Sequence, residues 1–149
     1  MKRVIVSGFF NPLHGGHLDM IEDAAKLGDR LIVVVNNDVQ QVLKKDKIIL
    51  SEQNRARLIG ALRYVDEVMI AIDRDPTVIR TLKQIAEKYP DDELIFANGG
   101  DRDSERAIPE TDVCKECNIK LTFGVGFGVR SIEKADSSTR INQALGHAK

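Results

Sequence analysis

Scarcity of cysteine is the first constraint. The chain has two in 149 residues, Cys114 and Cys117. Three residues apart, they make no disulfide framework, and a reducing, cytoplasmic setting is expected. Tryptophan is absent and aromatics are only 5% of the chain. An excess of either charge sign is also missing. Lys plus Arg is 22 against 23 for Asp plus Glu, so the net charge is −1. The basic footprint of a nucleic-acid binder is not there, and no nucleic-acid partner is expected. Long hydrophobic runs are lacking too. The longest purely aliphatic run, Leu31 to Val35, is far short of a membrane span, so no membrane partner is expected. Lys2 and Arg3 precede a short apolar stretch that Asn11, Pro12 and His14 interrupt, and no signal peptide is read.

What is present suits one globular domain over residues 1–149. Apolar residues are 42% and charged residues 30%, and a chain of this length buries a core without staples. Short aliphatic runs alternate with amphipathic stretches. Strands are expected at Val4 to Val6, Leu31 to Val35, Val65 to Ile72, Leu94 to Ala97 and Ile119 to Phe123. Helices are expected from Gly16 to Leu27, from the Ser51 cap to about Arg63, and from an Asp75-Pro76 start to about Tyr89. Two more follow, from Pro109 to about Cys117 and from a cap at Ser137 or Ser138 toward Leu145. This alternation implies an α/β fold: a Rossmann-like, doubly wound, five-stranded parallel sheet in order 3-2-1-4-5, in three layers. Ligands of such sheets bind at the carboxyl ends of the strands, where the order reverses between strands one and four. Residues 8–17, 98–108 and 124–139 fall there.

The strongest signal is Gly8-Phe-Phe-Asn-Pro-Leu-His-Gly-Gly-His17. His14 and His17 are spaced to face one way near a helix start. Gly15 and Gly16 clear space for a phosphate at the amides of the helix N-terminus, where the dipole favours an anion. Such preorganised donors suit charge building on a phosphorus. The spacing is not that of a zinc hydrolase pair, and no metal ligand is named. Phe9 and Phe10 have two readings, stacking on a base or packing.

This segment resembles the His-x-Gly-His motif of the nucleotidyltransferase superfamily, the cytidylyltransferase-like group. The resemblance covers the whole chain. Residues 26–35, Arg-Tyr-Val-Asp-Glu-Val (63–68), Asn-Gly-Gly-Asp (98–101) and Asp-Ser-Ser-Thr (136–139) are similar to further family segments. It implies transfer of CMP or AMP from CTP or ATP to a small phosphorylated (or phosphonate) alcohol, polyol or sugar. The α-phosphate is attacked in line and pyrophosphate leaves. His14, His17 and Lys44 are then the catalytic candidates. Gly8, Phe9, Phe10, Gly15, Gly16, Ser137, Ser138 and Thr139 are the nucleotide-binding ones. Asn11, Asp38, Arg55, Gly99, Gly100 and Asp101 are the substrate-binding ones. For Arg55, ordering the active-site loops stands beside ligand contact. Arg140 is a further candidate to reach the phosphates. Mg²⁺ is implied as the cofactor, arriving with the triphosphate.

The segments are similar both to glycerol-3-phosphate cytidylyltransferases and to the adenylyltransferase domain that forms ADP-heptose. The chain lacks the tryptophan of the former, and Asn98 stands where the latter has lysine. Adenylyltransferases acting on NMN, FMN or pantetheine phosphate are the alternative, and a non-catalytic nucleotide sensor is another. A homodimer is compatible with the resemblance, with residues 63–68 near its interface. Cys114-Lys-Glu-Cys117 and Gly124-Val-Gly-Phe-Gly128 look like redox and dinucleotide motifs, but both sit at the wrong place in the alternation.

Overall fold

The computed structural model of the chain describes residues 1–45, 48–99 and 108–125. Five parallel strands form one sheet: β1 (Lys2–Gly8), β2 (Arg30–Val35), β3 (Glu67–Ile70), β4 (Glu93–Gly99) and β5 (Ile119–Val125). Their order is β3-β2-β1-β4-β5, as the alternation predicts. In register, Val4 lies beside Leu31 and Ile95, and Ile5 beside Ile32 and Phe96.

Helices α1 (Gly15–Ala25) and α3 (Glu52–Gly60) cover one face, and α4 (Ile79–Lys88) and α5 (Thr111–Glu116) the other. Because side chains alternate along a strand, β1 sends Val4 and Val6 to the first face and Ile5 to the second. On the first face they meet Ile21, Ala24 and Ile59; on the second, Leu82, Ile85 and Val113. Both faces of the central strands are thus dry. That is why β2 reads as an unbroken aliphatic run and not an alternating one.

One helix and several boundaries differ from the sequence reading. A helix α2 (Asp38–Lys45) follows β2 where no helix is expected. Its buried residues are Gln40 and Gln41, while Val39, Val42 and Leu43 are exposed, so a search for an apolar inner stripe misses it. Helix α4 starts at Ile79, with Val78 as N-cap, and not at Pro76. Asp73, fully buried, accepts from the amides of Arg80 (2.7 Å) and Thr81 (3.1 Å). Asp75 instead closes a local turn with Thr77. Strand β3 is four residues long, α3 stops at Gly60, and β5 runs on to Val125. The helix expected after residue 137 lies outside the described residues.

Candidate active site

Strand β1 ends at Gly8, and Phe10 takes a left-handed backbone turn (φ 50°) that returns its ring over that glycine. A Cβ on Gly8 would lie 2.8 Å from the Phe10 ring. The glycine is therefore required by the ring's position. Phe10 is 1% exposed and meets the His17 ring edge-on at 4.9 Å. The ring packs as a buttress for the histidine.

The two histidines build the start of α1 themselves. His14 is the N-cap, with extended backbone, and its Nδ1 accepts from the Gly16 amide at 3.1 Å. His17 Nδ1 accepts from the His14 amide at 3.2 Å. This is a capping box in which imidazoles replace the usual hydroxyl and carboxamide. The rings stack at 3.7 Å with 25° between planes. With each Nδ1 used as an acceptor, a neutral ring must carry its proton on Nε2. Two Nε2–H donors are thereby fixed side by side. The cap also uses helix amides that the sequence reading leaves for phosphate. Gly16 donates to His14 Nδ1, and His17 and Leu18 donate to the His14 carbonyl at 3.0 and 3.3 Å. The donor set at this point is more imidazole than backbone.

A cleft of about 250 Å³ opens beside His17 at the carboxyl ends of β1, β2 and β4. This is the switch point the sheet order predicts. Ser7, Asn36, Asn98 and Glu110 give it polar wall; Pro76 and Val78 close it on the α4 side. Gly8, Phe9, Phe10 and Gly99, all singled out in the sequence, line it as well. Asn36, Pro76, Val78 and Glu110 were not singled out. Asn36 could have been, since it directly follows the aliphatic run of β2. Pro76, Val78 and Glu110 are brought in by loops whose course sequence does not display.

Arg55, Asp38 and Asn11 come together, but as a brace. Arg55 is 1% exposed. Its guanidinium donates to the carbonyls of Leu50 (2.9 Å), Phe9 (2.8 Å) and Asn36 (2.6 Å), and to Asp38 Oδ1 (2.7 Å). Asn11, also 1% exposed, accepts through Oδ1 from the amides of Ile49 and Leu50 at 3.0 and 2.9 Å. Of Arg55's two roles, loop ordering is the one seen. The polar atoms of Asn11 and Arg55 expected to meet acceptor are used to hold the loops after β1 and β2 together.

Gly15 and Gly16 open α1, and Lys44 lies in the last turn of α2. Gly100, Asp101, Ser137, Ser138, Thr139 and Arg140 lie outside the described residues. Cys114 sits on the opposite face of the sheet, in the core under α5. Burial, and next the charge of Glu110, push its thiol up to about 12, which makes it a poor nucleophile at neutral pH.

A family model described as cytidylyltransferase-like matches residues 5–143. The chain belongs to the cytidylyltransferase-like family. By that membership it is a nucleotidyltransferase. An FAD synthase from Archaeoglobus profundus is 36% identical over 77% of this chain and 68% of its own length. A glycerol-3-phosphate cytidylyltransferase from Bacillus subtilis is 41% identical over 46% of this chain and 54% of its own. The chain spans 19% and 24% of two bifunctional HldE proteins that it also matches. A lipopolysaccharide core biosynthesis protein from Thermoplasma volcanium superposes with a TM-score of 0.62 at 30% identity, over 83% of this chain and 94% of that one. No helix among the described residues is long and apolar enough to cross a membrane.

Proposed function

We propose that the chain moves CMP or AMP from CTP or ATP to a phosphate (or phosphonate) oxygen of a small alcohol, polyol or sugar. The acceptor oxygen forms a bond to the α-phosphorus as the bond from that phosphorus to the bridging oxygen of pyrophosphate breaks. No covalent enzyme intermediate is involved. The reading is carried by the stacked histidine pair, whose Nδ1 atoms are tied into the α1 cap. Nε2–H donors held in this way meet the non-bridging oxygens of the α-phosphate with little reorganisation as charge builds. Positioning and charge stabilisation then supply most of the rate.

The remaining roles follow the family resemblance. Lys44 neutralises the leaving pyrophosphate as a flexible point charge. Ser137, Ser138 and Thr139 take the β- and γ-phosphates. Gly99, Gly100 and Asp101 lie against the nucleoside or acceptor. Magnesium arrives on the triphosphate and supplies charge neutralisation there. Among the described residues no three His, Cys, Asp or Glu side chains gather at one point. The donors at the histidines are N–H groups, which suit phosphate oxygens. A second reading, AMP transfer to FMN, is favoured by the FAD synthase relative. It uses the same groups.

The test is pyrophosphate release with Mg²⁺ and either nucleotide across glycerol, polyol and sugar phosphates and FMN. His14→Ala and His17→Ala should each lower kcat by about 10²–10³. His14→Asn separates chemistry from folding. Asparagine restores the cap, worth about 1 kcal/mol, and should restore the melting point without restoring turnover. Near-normal turnover in the alanine variants would refute the proposal. Nucleotide binding with no pyrophosphate from any acceptor would turn the reading to a sensor.

A further inference from the structure

Helix α2 is docked with its polarity reversed. Gln40 and Gln41 are 0% and 1% exposed, while Val39, Val42 and Leu43 are 43–57% exposed. Hydrophobic burial therefore does little to hold it, and directional bonds must set its seat. Gln40 makes four. Its Oε1 accepts from Asn36 Nδ2 (3.1 Å) and the Asn37 amide (2.9 Å). Its Nε2 donates to the carbonyls of Asp75 (2.8 Å) and Thr77 (2.7 Å). That is the full capacity of a carboxamide, two donors and two lone pairs.

The partners belong to two separate segments. Asn36 and Asn37 form the turn from β2 into α2. Asp75 and Thr77 lie in the connection from β3 to α4, on either side of Pro76. Asn36, Pro76 and Val78 all line the cleft. One buried side chain thus spans two of its walls. Asn37 Nδ2 ties the base of the same connection, at the Ala71 and Asp73 carbonyls (both 2.8 Å). Glu110 accepts from the Val78 amide at 3.2 Å on the far side. Among the described residues, no other side chain from outside the connection hydrogen-bonds residues 75–77.

We infer that Gln40 is a positioning residue for the acceptor: it sets the gap between the β2–α2 turn and the Pro76 wall, and so the fit of the acceptor's non-phosphate part. The inference rests on the nucleotidyl-transfer reading and takes the acceptor to sit against the Asn36, Pro76 and Val78 wall of the cleft, with the α-phosphate at His17. Gln40 touches neither substrate.

The experiment uses the full chain with Mg²⁺ and CTP or ATP. The acceptors are sn-glycerol 3-phosphate, ribitol 5-phosphate, glucose 1-phosphate and FMN. Gln40→Met keeps length and removes all four bonds. Pro76→Gly loosens the same wall from its exposed side without emptying a buried site. It keeps the inference testable if Gln40→Met does not fold. Both should raise the acceptor KM about tenfold or more, since small misplacements carry large penalties. kcat should stay within about threefold, and nucleotide affinity, read from the melting shift, within about twofold. An acceptor KM that stays at the wild-type value in the folded variants, or a nucleotide affinity that falls in parallel with it, overturns the inference. Wild-type protein that releases no pyrophosphate with any of these acceptors overturns the transfer reading itself, and the inference with it. Turnover in the wild type with an unmoved acceptor KM in the variants overturns the inference alone.

Discussion

Replacing Arg55 by methionine removes a guanidinium that holds three loops, while keeping much of its apolar volume. Four bonds are lost, to Leu50, Phe9, Asn36 and Asp38. Breaking a buried charge pair by deleting one partner costs about 3–5 kcal/mol. Asp38 is 30% exposed, so water recovers part of its share and the ion-pair contribution falls toward the low end. The Asn36 carbonyl, buried with its residue, does not have that recourse, and an orphaned buried acceptor costs about 1–3 kcal/mol. These costs overlap, because one loop shift relieves several at once. A net loss of about 4 kcal/mol follows. At 2–4 °C per kcal/mol the melting point should fall by about 8–16 °C. The urea midpoint should fall by about 2 M for an m-value near 2 kcal/mol/M. Arg55→Lys should recover little, since one ammonium cannot reach four acceptors spread around a planar fork. Calorimetry and urea titration read this directly. A melting point within about 2 °C of wild type in Arg55→Met, with substrate affinity lost instead, would refute the brace and make Arg55 a ligand contact.

Three further outcomes follow from the same geometry. Gly8→Ala should push the Phe10 ring off its seat and disorder His17 behind it, lowering kcat more than nucleotide affinity; an unchanged kcat would show that the ring does not buttress the histidine. With a thiol reagent at neutral pH, half-buried Cys117 should react readily and Cys114, buried with its thiol pushed up to about 12, only on unfolding; fast labelling of both in the native state would contradict the packing under α5. A hydrogen bond from Arg3 holds the Asp92 carboxyl below its ordinary value, as those from Lys88 and Tyr89 do for Glu67 against the opposing effect of burial. Both groups therefore stabilise the fold above their unfolded values, and that contribution is lost as pH falls through the lowered folded ones. Asp92→Asn should be less stable than wild type at pH 7, and the difference should shrink as pH falls below the ordinary carboxylate range; a difference that does not shrink on acidification would refute the linkage.

The sheet was legible because its central strands are dry on both faces, which leaves unbroken aliphatic runs such as Leu31 to Val35, and because right-handed crossovers leave few strand orders. Helix α2 was not, because its inner face is carboxamide and its aliphatic residues point outward, opposite to the pattern periodicity detects. The start of α4 was misplaced because Asp73 and Asp75 are equally good caps in sequence, and only the fold decides which one meets the Arg80 and Thr81 amides. The histidine pair was visible from its spacing and glycines. Its self-capping was not, since that depends on which ring nitrogen turns inward. The brace role of Arg55 requires three carbonyls from 36, 9 and 50 to converge, and backbone acceptors leave no trace in side-chain identity.

The central claim is transfer of a nucleotidyl group onto a phosphate, and phosphorus NMR of the wild-type chain with Mg²⁺, CTP or ATP and the acceptor panel tests it most directly. The account predicts a new diphosphate-linked product and free pyrophosphate, growing in equal amounts with one nucleotide and one acceptor class. Release of orthophosphate, or a triphosphate that stays intact beside every acceptor, would contradict it.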